Sequence, residues 1–138
     1  MKMEYAHLSD KSRRPENSTS LAGLANNVEA RPKNWLMPVT LVILRECSSY
    51  GYQLMERLIE FGFEALNPGT LYRTLRKMEK DGLCKSKWET TSAGPARRMY
   101  SITDAGEAYL DLWVEGLELY QKSMNTFFEA YKDWRKRS

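Results

Sequence analysis

The chain has 138 residues, 42% of them apolar, with a formal net charge of +3. That length suits one compact domain plus an extension, and the charge is so mild that its distribution must carry any nucleic-acid argument. Cys47 and Cys84 form no Cys-x-x-Cys pair, no apolar run is long enough to span a bilayer, and Met1-Lys2-Met3-Glu4 leads into no apolar signal segment, so a metal-binding pattern, a disulfide framework, a membrane anchor and secretion are not expected.

Residues 1–33 are polar and aperiodic apart from Leu21-Ala22-Gly23-Leu24-Ala25. They predict a flexible arm, the alternative being a short helix around 20–29. Order is expected from Asn34. Trp35, Leu36, Val39, Leu41, Val42, Ile43 and Leu44 make an apolar segment of helical length, with Pro38 tolerable in its first turn. Ser48-Ser49 should end it. A second helix is predicted from about Gly51 to Phe61, with Tyr52, Leu54, Met55, Leu58 and Ile59 on its buried side and Gly62 as its stop. Asn67 and Pro68 are the cap and first residue of a third helix that Gly82 should close. Cys84–Thr90 and Arg97–Ile102 alternate as two strands with Trp88, Tyr100 and Ile102 inward, and 92–95 form the tip. Thr103 should cap a last helix running to about Lys136, with Asp104 and Glu107 near its positive end.

The faces of the third helix separate at 100° per residue. Leu71, Leu75 and Met78 fall on one side; Arg73, Arg76, Lys77 and Lys80 fall opposite. A cationic helix followed directly by a cationic hairpin is the layout of a winged helix, whose helix enters the major groove of duplex DNA while the hairpin lies over nearby phosphates. Arg73 and Arg76 can offer paired donors to a guanine edge, and Thr70 and Tyr72 lie near the helix start. Lys77 and Lys80 suit phosphates. Lys85, Lys87, Arg97 and Arg98 flank the hairpin and suit the DNA backbone. A solvated basic face is the bland alternative for any one such helix; the succession of three helices and a basic hairpin favours DNA.

The last helix carries Leu110, Trp113, Leu117, Tyr120, Met124, Phe127, Tyr131 and Trp134 at alternating 3-4 spacing, the signature of a helix seam. Such a helix is about 50 Å long, whereas a globule of the preceding residues is only roughly 30 Å across. Its distal half has no home within its own chain, so a homodimer with twofold symmetry is expected. Packing back on the first helix is the alternative. Wide aromatic side chains make poor tight knobs, and a gap among them would suit an apolar effector.

Gly69-Thr70-Leu71-Tyr72, the continuation through Leu83, and Gly94-Pro95-Ala96-Arg97-Arg98-Met99-Tyr100-Ser101-Ile102-Thr103 resemble the PadR family of transcriptional regulators. Ser49-Tyr50-Gly51-Tyr52 and Ala105-Gly106 fit as well. The resemblance spans about residues 35–115 and rests on motifs in the family's order. It implies a mostly α fold with a small β-hairpin: a winged helix-turn-helix DNA-binding domain at 34–103 and a dimerisation helix at 104–138. It also implies a cytoplasmic repressor of transcription acting at palindromic operators and relieved by a small molecule. Thr70, Tyr72 and Arg73 would lie on the recognition helix, and Gly94, Arg97 and Arg98 in the wing. Arg73 stands where the family often has proline, and Met99 where it often has an aromatic residue. The long arm, the Leu66-Asn67-Pro68-Gly69 approach and the aromatic last helix further resemble the bacillar branch of polyhydroxybutyrate-responsive repressors, which implies a polyester effector.

The competing reading is a winged-helix interaction module, such as an adaptor on polymer granules. An enzyme is disfavoured. His7 stands alone in a polar tail, no glycine-rich phosphate loop occurs, and no carboxylates cluster. No cofactor or metal is expected. Cys84 reads as a small buried hydrophobe rather than a redox sensor.

Overall fold

The computed structural model describes residues 20–25, 28, 30–91 and 94–137. The chain divides into two units at Lys33/Asn34. In the first, α1 (Leu21–Ala25) starts at Ser20, whose Oγ accepts from the Gly23 amide at 3.1 Å. Leu21 and Leu24 are exposed. The predicted tip residues Ser92 and Ala93 and most of the arm lie outside the described residues.

The second unit holds the core. Helix α2 (Leu36–Glu46) forms from the apolar run and buries Val39, Leu41, Ile43 and Leu44. The buried Thr40 hydroxyl is satisfied by donating to the Leu36 carbonyl at 2.7 Å. Strand β1 (Ser49–Tyr50) follows, then α3 (Gly51–Glu60). The Gln53 side chain reaches back to accept from the Tyr50 amide at 2.8 Å, closing the start of α3. Gly62 stops the chain there with φ +97°, the left-handed region that favours glycine.

Helix α4 (Pro68–Lys80) is capped by Asn67, whose Oδ1 accepts from the Gly69 amide at 2.6 Å. Gly82 ends it at φ +78°. Leu71, Leu75 and Met78 are completely buried, as are Leu41, Leu54 and Leu58 across from them. The six make one continuous core.

Strands β2 (Cys84–Thr91) and β3 (Gly94–Ile102) form the wing. The sheet has three strands in the order β1-β3-β2, not the two of a bare hairpin. Ser49 pairs with Tyr100 and Tyr50 with Met99. A two-residue strand is too short to show alternation, so only its pairing reveals it.

Two burial expectations fail for geometric reasons. Trp88 shares a strand face with buried Cys84 but is 64% exposed. It pairs with Arg98, farther from the core than the Cys84–Ile102 pair, where the hairpin has outrun the body beneath it. Tyr52 and Ile59 are 49% and 48% exposed. On a helical wheel they lie about 140–160° from Leu54, so they mark the solvent side of α3 rather than its buried side.

Helix α5 (Asp104–Arg137) runs 34 residues. Thr103 accepts from the Gly106 amide at 3.0 Å and donates to the Gly82 carbonyl at 2.6 Å, tying the start of α5 to the end of α4. A Cβ at Gly106 would strike the Leu83 carbonyl oxygen, so only glycine permits this approach. No described helix is long and apolar enough to cross a membrane.

Candidate nucleic-acid interface

The cap at Asn67 and the buried arc of Leu71, Leu75 and Met78 fix the rotation of α4. That rotation leaves Arg73, Arg76, Lys77 and Lys80 exposed along its outer side. Thr70 is half-buried and its hydroxyl accepts from Arg73 Nη2 at 3.2 Å. Lys77 pairs with Asp81 at 3.1 Å. Both partners are well exposed, so the pair is worth less than about 1 kcal/mol and exchanges readily for a phosphate. Tyr72 is 39% exposed, and its hydroxyl rests over Gly51 so closely that a Cβ there would collide with it.

The wing brings its cations beside this helix in two sets. Alternation sends Arg97 and Arg98 to opposite faces. Arg98 lies over the Trp88 ring, 5.3 Å from its centroid. Arg97 lies beside the rings of Tyr50 and Tyr52, and Lys87 stands 4.0 Å from Glu89. Tyr72 and Arg76 of α4 and Trp88, Arg97 and Arg98 of the wing line one concavity of about 340 Å³. Helix and hairpin therefore share a cationic, aromatic surface.

Sequence reasoning missed Tyr50, Tyr52, Trp88 and Glu89 as parts of this surface. The Tyr50 hydroxyl donates to Glu89 Oε1 at 2.9 Å, and this bond holds the phenol above its ordinary range. The usable signal was an acidic residue isolated in a basic hairpin. Among the described residues no group of His, Cys, Asp or Glu is arranged to hold a metal. Cys84 is buried, and burial pushes its thiol up to about 12.

The predicted seam of α5 divides. Leu110 is 2% exposed and belongs to the core of its own chain, which corrects its assignment to a dimer or effector surface. Helix α5 packs against α2, and Leu110 joins the same buried cluster as Val39, Leu41 and Leu44. Trp113 meets Trp35 at a centroid distance of 6.5 Å, and Leu117 is half-buried. Tyr120, Met124, Phe127, Tyr131 and Trp134 are exposed. Leu112, Leu119 and Phe128, outside the predicted stripe, are exposed too, so the uncovered apolar face is broader than the seam.

The model of the "Transcriptional regulator PadR-like family" matches residues 40–112. Transcriptional regulator Rv3488 of Mycobacterium tuberculosis is 43% identical over 61 residues, covering 44% of this chain and 55% of that protein. The chain thus spans about half the length of that curated relative. Among solved structures, a PadR-like transcriptional regulator from Bacillus cereus matches with a TM-score of 0.63 and 29% identity, over 70% of this chain and 93% of that one. A PadR family transcription regulator from Clostridium difficile matches with the same TM-score and identity, over 69% and 99%.

Proposed function

The chain belongs to the PadR-like family of transcriptional regulators, and on that premise we propose that it is a homodimeric, sequence-specific DNA-binding repressor. The observation that carries this reading is the run of exposed cations on α4 beside the cationic wing. Residues 34–103 are the DNA-binding domain and 104–138 the dimerisation helix. Arg73 and Arg76 read base edges, with Thr70 and Tyr72 at the groove end of the helix. Lys77, Lys80, Lys87, Arg97 and Arg98 bind phosphates. Twofold symmetry sets the two recognition helices about 34 Å apart, one turn of duplex.

The distal aromatic face of α5 supports dimerisation, and a gap within it would admit an apolar effector that lowers DNA affinity. A polyhydroxybutyrate oligomer is the first effector to test. The deciding experiment titrates the full chain against a duplex that it selects from a randomised pool. With about four phosphates engaged per subunit, the logarithm of affinity should fall against that of salt with a slope near −7. A flat salt response contradicts the reading.

A further inference from the structure

Arg97 is held by residues that the recognition helix does not supply. Its guanidinium carbon lies 5.6 Å from the ring centroid of Tyr50 and 5.5 Å from that of Tyr52. The two rings are stacked, with centroids 6.0 Å apart and planes within 9°. Arg97 Nη1 reaches the Tyr52 hydroxyl at 3.5 Å. The Tyr50 hydroxyl in turn bonds Glu89, which faces Arg97 across the β2–β3 ladder. Tyr50 lies in β1, which pairs with β3, and Tyr52 lies in α3 of the body, whereas Glu89 and Arg97 belong to the wing. The clamp therefore joins the two parts that DNA must engage together.

We propose that Tyr50, Tyr52 and Glu89 are positioning residues that hold Arg97, and through it the wing, at a fixed setting beside α4. The proposal rests on the DNA-binding reading above. A free arginine on a hairpin loses rotamer freedom when it grips a phosphate, and that loss weakens binding. Stacking on a tyrosine face restrains the guanidinium while leaving its charge for the phosphate. A carboxylate partner would cancel that charge. Here Glu89 is turned instead to the Tyr50 hydroxyl, which keeps an acidic group on the wing occupied. The clamp also accounts for the exposed ring of Tyr52, which contributes nothing to the buried core.

The test is a double-mutant cycle in the full chain, read by fluorescence anisotropy on a duplex that the native chain selects from a randomised pool. Tyr52→Leu should weaken binding about 2- to 10-fold, the range expected from one side chain losing its preorganisation. In an Arg97→Ala background the same substitution should change nothing. Tyr52→Phe keeps the ring and should retain most of the affinity. Tyr50→Phe, which removes the bond to Glu89, should cause a smaller loss that again requires Arg97. Equal losses in both backgrounds, or no loss in either, overturn the clamp. A native chain that binds no duplex overturns the DNA-binding reading itself, so the two failures are distinct.

Discussion

The winged-helix half and the distal half of α5 use the same kinds of apolar residue to opposite ends. In the first, Leu54, Leu58, Leu71 and Leu75 are fully buried by neighbours from their own chain. In the second, Phe127 and Trp134 are 63% and 65% exposed. Each large aromatic side chain can bury about 150–250 Å², at about 25 cal/mol per Å². The uncovered half of α5 therefore withholds several kcal/mol that only a second surface can recover. Apolar periodicity reports which face seeks cover and not what covers it.

Substitutions in the two halves should fail differently. Leu75→Ala cuts a cavity in a filled core and should cost about 2–5 kcal/mol of unfolding free energy, measured by urea denaturation. DNA binding should fall with it. Phe127→Asp should leave the winged-helix unit folded by circular dichroism yet dissociate the proposed dimer, and DNA affinity should drop because one recognition unit is lost. A Phe127→Asp chain that unfolds as Leu75→Ala does would erase the distinction between the halves.

Within the winged-helix half, the outer side of α4 divides again. Arg73→Ala should cost about 1–3 kcal/mol on the preferred duplex and less on others, relaxing base preference. Lys80→Ala should weaken all duplexes alike and reduce the salt slope by about 1. Competition titrations with scrambled duplexes separate the two.

The remaining predictions concern the cysteines. Cys47 is exposed and should react with a thiol reagent at neutral pH, whereas buried Cys84 should stay silent until the chain unfolds. The thiol of Cys84 is raised from 9.0 to about 12 by burial. The folded state therefore holds this proton more tightly than the unfolded state. Its contribution is full below pH 9 and is lost as pH climbs toward 12. Cys84→Ala should flatten that alkaline decline in melting experiments.

Local chemistry made much of the fold legible. The Asn67-Pro68 start, the Gly62 and Gly82 stops and the Thr103 cap each act over a few residues, and each lies where its type predicts. The separation of Leu71, Leu75 and Met78 from the basic side of α4 follows from periodicity alone. What was not legible depends on distant partners. Strand β1 exists through its pairing with Tyr100 and Met99. Trp88 obeys strand alternation but lacks a body beneath it. Leu110 fits a dimer seam as well as it fits the core that claims it. The Tyr50–Glu89 bond joins residues 39 positions apart, a separation that no periodic pattern reports.

Sedimentation of the full chain, alone and with its selected duplex, addresses the central claim most directly. The account predicts a particle of twice the chain mass at micromolar concentration, and that same pair bound to one duplex. A single subunit that leaves the duplex free in dilute salt would contradict it.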